Sequence, residues 1–284
     1  MDHLEYYNLN QEPFAVLPLT NFYYHNEQHD QAYMRLARAV ENMKGLAVLV
    51  GDVGTGKTLL ARRLLEELPD DKYEVSLLVV LHSDADSDWL IRRIASQFGV
   101  ENLDCTKVEL LQQLYQKLVN ISESGKRAVI LIDEAQMLRK RELLEEIRGL
   151  LNLELPNQKL ISFVLFGMPE LDKTLQSEEA LQQRMAVRCQ LKNFTLELVK
   201  DYIRFRLFHA GCDRQIFSAE AVQKIHLYTK GNPRVINVIC DNALFESFIR
   251  RSPLPISEEL IVDIAEDLGL TLRGTEEFSM SFQT

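Results

Sequence analysis

Short runs of consecutive apolar residues punctuate the first two thirds of the chain. Each is followed by a stretch in which apolar residues recur every three or four positions. The runs GLAVLV, SLLVVL and AVILI are far too short to span a bilayer and suit the buried central strands of a parallel sheet. The spacing of Ala32, Leu36, Ala39, Val40 and Met43 predicts a helix from His29 to Met43. Strand 46–50 then leads through a glycine-rich loop into a helix ending at Leu68. Strand 74–81 precedes a helix ending at Phe98, and a further helix covers about 106–123. Strand 128–132 precedes a helix over about 140–154, and strand 160–166 follows it. Nearly all-apolar strands separated by helices predict an α/β fold, a parallel sheet with helices on both faces. Residues 1 to 25 hold aromatics and prolines without periodicity and read as an ordered loop.

After Leu191 no strand run appears. Segments 195–210, 218–229, 233–250 and 257–267 all read as helices. Thr195, Ser218 and Ser257 stand where a side-chain oxygen caps a helix amino terminus. Asn232 followed by Pro233 supplies a cap and then proline in the first turn, where its missing N–H costs nothing. The expected division is an α/β domain over 1–193, N-terminal segment included, a small all-helical lid over 194–270, and a flexible tail over 271–284.

Composition narrows the function classes. A chain of 284 residues with 46% hydrophobic and 26% charged residues is ordinary for a soluble globular protein. Its formal net charge of −10 disfavours a protein that wraps nucleic acid. The start, MDHLEYYNLNQEPF, lacks the basic residues and apolar core of a secretory signal, so a cytoplasmic protein is expected. Cysteines 105, 189, 212 and 240 form no C-x-x-C pair and read as reduced, buried thiols. His25 and His29, four apart, lack the nearby third ligand that a metal site would need.

The chemistry concentrates in GDVGTGKTLL. Gly51, Gly56, Lys57 and Thr58 fit the phosphate-binding loop pattern, between a predicted strand and a predicted helix. Its glycines let backbone N–H groups turn toward phosphate oxygens, helped by the positive end of the helix. The loop residues Gly51, Asp52, Val53, Gly54, Thr55, Gly56, Lys57, Thr58 and Leu59 form the expected ATP cradle. Lys57 would reach the terminal phosphates, and the Thr58 hydroxyl would ligate Mg²⁺. In AVILIDEAQ, Asp133 ends an apolar strand and would hold Mg²⁺ beside the loop. Glu134 follows, a second carboxylate able to polarise a water for attack on the γ-phosphate. A small-molecule kinase has no use for activated water, so the pair points to hydrolysis.

Two arginine signals bear on coupling. In LQQRMAVRCQL, Arg184 and Arg188 lie four apart, as on one helix face; an arginine can also stabilise the charge of a transferring phosphoryl group, often from a neighbouring subunit. In GNPRVIN, Arg234 falls in the first turn of a predicted lid helix.

Taken in order, GDVGTGKT, VILIDEAQ, LFGMPEL, LQQRMAVR and GNPRVIN resemble the AAA+ ATPases of the general secretion pathway protein A (ExeA/GspA) type and their relatives in MSHA-type pilus assembly. The opening YYNLNQEPFAVLPLTNFYY resembles that family's N-terminal segment, so the likeness covers residues 4 to 270. It implies a P-loop ATPase with a helical lid, active as a ring or other homo-oligomer. Lys57, Thr58, Asp133 and Glu134 match the Walker residues, and Arg234 matches the sensor-2 arginine. Arg184 or Arg188 matches the arginine-finger region, Arg184 being favoured. Relatives often read G-Q-P-E-L after the fourth strand, where a polar side chain senses the γ-phosphate. Here Met168 stands in that place, and a thioether is a poor hydrogen-bonding partner. Secretion-type members can carry a transmembrane helix and a peptidoglycan-binding domain, and neither is expected here.

Three functions compete on these grounds. The first is an assembly ATPase for a type II secretion or type IV-like pilus machine, engaging a membrane-anchored partner at the inner membrane. The second is a DNA-associated ATPase of the transposition-regulator (TnsC/TniB-like) kind. The third is a nucleotide-gated scaffold that hydrolyses slowly. The acidic surface disfavours the second, and Glu134 disfavours the third.

Overall fold

A computed structural model describes residues 2–15, 22–81 and 85–272, so the expected tail lies almost wholly outside the described residues. The chain forms two compact units, one of His25–Lys192, the other of Met1–Tyr24 with Asn193–Thr284. It opens on a helix, α1 (His3–Tyr7), closed by a capping box between Asp2 and Glu5. This corrects the loop reading of the first residues. Five residues are too few to show periodicity, and the signal lay in the D-x-x-E spacing.

The α/β unit begins with α2 (Glu27–Glu41) and continues through β1 (Leu46–Gly51), α3 (Lys57–Glu67), β2 (Tyr73–Val79), α4 (Ser87–Gln97) and α5 (Lys107–Glu123). Next come β3 (Arg127–Asp133), α6 (Arg141–Leu150) and a short antiparallel pair, β4 (Glu154–Leu155) and β5 (Gln158–Lys159). The unit ends with β6 (Ile161–Gly167), α7 (Pro169–Gln176), α8 (Glu179–Gln182) and β7 (Met185–Leu191). The main sheet is parallel, in the order β2-β3-β6-β1-β7. Strands β1 and β6 are buried at every position, and β3 at all but its first. That is why they read as unbroken apolar runs.

Strand β7 corrects the reading of LQQRMAVRCQL as a helix. Arg188 and Gln190 are exposed, while Cys189 and Leu191 are buried, the alternation of an edge strand. An i, i+4 pair of arginines fits period two as well as period 3.6, and here the former prevails. Val48 pairs with Arg188, and Gly51 with Leu191.

The second unit holds α1 with α9 (Leu196–His209), α10 (Ala219–Thr229), α11 (Pro233–Arg250) and α12 (Glu258–Asp267). Thr195 and Ser218 cap their helices as expected, and the Asn232 carboxamide accepts from the N–H groups of Arg234 and Val235. Tyr7, Leu9 and Phe14 are buried in one core with Val199, Ile203 and Ile239. The N-terminal segment is therefore part of the helical unit, not of the α/β domain to which the sequence reading attached it. Its aromatics find their apolar partners on α9 and α11. Arg206 secures the connection: its buried guanidinium donates to the Pro13 and Ala15 carbonyls and lies 4.7 Å over the Phe22 ring. Gly231, at φ +74°, lies so close to Phe194 that a Cβ would fall 1.9 Å from its carbonyl oxygen.

Candidate nucleotide-binding site

The three central strands end side by side. β3 stops at Asp133, β6 at Gly167 and β1 at Gly51, with Ile132 opposite Leu165 and Val50 opposite Gly167. A parallel sheet presents its site at this carboxyl edge, and the glycine-rich loop leaves from it. Gly56 caps α3 in the left-handed region, at φ +100°, with no side chain over the helix start. The first N–H groups of α3 thus face a place suited to anionic oxygen. A Cβ on Gly56 would lie 3.0 Å from His29 Nε2, so glycine serves both the turn and the close approach.

His29 lies beneath this loop. Its Nε2 is 2.9 Å from the Thr55 carbonyl and its Nδ1 is 2.9 Å from Asn26 Oδ1. Burial pushes the imidazole pKa down, while the Thr55 carbonyl and the Asp30 charge oppose that. The sequence reading weighed His29 only as a metal ligand; the structure gives it a place as a support of the loop. Among the described residues there is no cluster of three metal-ligating side chains of His, Cys, Asp or Glu.

Lys57 is buried and donates to the carbonyls of Gly51 (2.8 Å) and Asp52 (2.9 Å). Burial pushes its pKa down, and the charges of Glu134, Asp133, Asp52 and Glu170 pull it back up. At the start of α3, its ammonium sits where a polyphosphate held by the loop would find a counter-charge. The Thr58 hydroxyl donates to Asp133 Oδ2 at 2.7 Å, and the other oxygen of Asp133 accepts the Glu134 N–H at 2.9 Å. Two hard oxygen donors in contact beside a phosphate loop fit a magnesium ion. Glu134 itself takes the left-handed conformation, φ +56°. Such a residue costs on the order of 1–3 kcal/mol and persists where the surroundings enforce it. Gln136, buried in the 3-10 turn Ala135–Met137, donates from Nε2 to Glu134 Oε2 at 2.5 Å. Its Oε1 accepts the backbone N–H of Met168 at 3.0 Å.

The expected site residues therefore fall into two groups. Residues Gly51 to Leu59, Asp133 and Glu134 gather at the carboxyl edge. Arg184 and Arg188 do not join them there. Arg184 precedes β7 at the amino edge of the sheet, lining an open cavity of about 390 Å³ with Lys44 and Lys159. Arg188 is held by Asp172, and Arg234 lies exposed in the first turn of α11, in the other unit.

Comparison with known proteins gives this geometry a relation. An AAA domain matches residues 40–175. The chain is 34% identical over 277 residues to general secretion pathway protein A of Aeromonas hydrophila, covering 96% of this chain and 50% of that protein. It thus spans about half the length of that relative. Among solved structures, Aeropyrum pernix ORC1, described in complex with DNA, matches with a TM-score of 0.63 at 18% identity, over 91% of this chain and 69% of that one. ORC2 of the same organism matches with a TM-score of 0.62 at 16% identity, over 85% and 67%. A Thermotoga maritima RuvB variant matches with a TM-score of 0.56 at 18% identity, over 88% and 73%. At these identities the likeness is one of fold alone. By its AAA domain and its identity along nearly its whole length, the chain is a relative of general secretion pathway protein A.

Proposed function

We propose that this chain binds ATP with Mg²⁺, hydrolyses it as a homo-oligomer, and couples turnover to assembly of a type II secretion or type IV-like pilus machine. The observation that carries the hydrolytic part is the Glu134 carboxylate beside the Thr58–Asp133 pair and Lys57. Backbone N–H groups of the loop and the Lys57 ammonium bind and orient the phosphates. Thr58 and Asp133 would hold Mg²⁺, which when bound neutralises charge on the phosphate oxygens. Glu134 accepts a proton from the attacking water as that oxygen bonds to the terminal phosphorus. The bond to the bridging oxygen breaks, and ADP and phosphate leave.

Oligomeric action is supported by the position of Arg184. A strand of about six residues, or ~20 Å, separates the amino edge from the carboxyl edge. One arginine side chain cannot cover that distance within its own subunit, which suits a finger offered to a neighbour. Arg234 enters this reading as the nucleotide-sensing arginine of the helical unit. The machine and its membrane-anchored partner are supported by the relative from Aeromonas hydrophila. No described helix is long and apolar enough to cross a membrane.

Lys57→Ala should lose magnesium-dependent turnover, and Glu134→Gln should bind ATP while turning it over about 100-fold more slowly or worse. Wild-type turnover by Glu134→Gln would remove the assigned base. For the biological role, the ATP-bound protein should recover a secretion or pilus assembly protein from membrane extract. Duplex-DNA binding should be weak and steeply salt-dependent. Tight DNA binding at physiological salt that stimulates hydrolysis would replace this reading with the transposition-regulator one.

A further inference from the structure

We propose that Gln136 is a positioning residue that holds the Glu134 carboxylate and ties it to the end of β6, so that the backbone at Met168 takes over the part a polar sensor side chain would play. The inference rests on the hydrolytic reading of Glu134. Chemistry fixes the orientation of the Gln136 amide. The Met168 N–H can only donate, so Oε1 must face it, and Nε2 is left to donate to Glu134 Oε2. An ionised carboxylate only accepts, so the three groups form a directional chain from Met168 N–H through the amide to Glu134. Gln136 is 6% exposed, and the short turn that carries it leaves it little freedom. Gly167 makes room for it, since a Cβ there would lie 3.1 Å from Gln136 Oε1 and 2.7 Å from Leu171.

The arrangement has a mechanical reading. Met168 precedes Pro169 at the start of α7, and Glu170 in the first turn of that helix lies within electrostatic reach of Lys57. Any shift of the β6–α7 junction when phosphate arrives or leaves would move the Met168 N–H. The amide would carry that shift to the base. Side-chain identity at 168 is then of little consequence, because the working group is the N–H that every residue but proline provides.

The test uses the full chain with Gln136→Met, which keeps volume but loses both hydrogen bonds, and Gln136→Glu, which keeps shape but sets a carboxylate against Glu134. Gln136→Met should lower kcat about 10- to 100-fold with KM for ATP changed by less than about 3-fold. In the Glu134→Gln background it should lower kcat no further, because residues acting as one unit are not additive. Gln136→Glu should also lower kcat with KM for ATP little changed, since a carboxylate there cannot donate to Glu134 and repels it. If one variant fails to fold, the other carries the test. An unchanged kcat in both variants, or an equal loss in the Glu134→Gln background, would overturn the role of Gln136 while leaving Glu134 as base. Wild-type turnover by Glu134→Gln alone would instead sink the hydrolytic reading on which this rests.

Discussion

Arg188 grips Asp172 with two parallel hydrogen bonds of 2.6 Å, from Nε to one carboxylate oxygen and from Nη2 to the other. This fork joins β7 to α7 and raises the affinity of Arg188 for its proton. A guanidinium so engaged has little left to offer a phosphate on another subunit.

Arg184, just before β7, and Arg188, within it, should therefore separate cleanly. Arg184→Ala should abolish most turnover without changing the thermal midpoint. Arg188→Ala should lower stability by about 1–2 kcal/mol and leave the residual folded protein active. Mixing Lys57→Ala with Arg184→Ala subunits should restore part of the activity at shared interfaces. Absence of rescue, with a monomeric ATP-bound state by light scattering, would remove the trans mechanism.

His29→Ala should cost about 2–3 kcal/mol, through an unsatisfied Thr55 carbonyl and a cavity beneath the loop. It should also weaken nucleotide binding, because the loop loses its support from α2 at Gly56. Urea midpoints and titration with a fluorescent nucleotide read the two effects. Unaltered nucleotide affinity would show that His29 serves the fold alone.

Arg206→Met should leave the Pro13 and Ala15 carbonyls without their donor and destabilise the helical unit by about 2–4 kcal/mol. Hydrogen exchange should show the first fifteen residues opening before α9 to α12. Protection of that segment equal to wild type would mean that Tyr7, Leu9 and Phe14 hold it without the arginine.

What could be read from the sequence follows what buries continuously. β1, β3 and β6 announced themselves because both their faces are covered, and Gly51 to Thr58 with Asp133 and Glu134 were legible because phosphate chemistry dictates their spacing. β7 was missed because an edge strand alternates, and the spacing of Arg184 and Arg188 imitates a helix. Nothing in AVILIDEAQ marks Gln136 as functional, since only the fold brings the Met168 N–H beside it. For the same reason Met168 read as a lost sensor. The destination of the N-terminal segment was hidden because residues near Pro13 meet Arg206 across 193 positions.

The helical unit takes residues from both chain ends, with His25–Lys192 lying between them in sequence. On a ribosome the first aromatics emerge long before α9 to α12 exist to cover them. Tyr7, Leu9 and Phe14 must wait, exposed, while the whole α/β unit is synthesised and free to fold. Docking of this first segment therefore waits on α9 to α12, which the ribosome delivers only after the α/β unit.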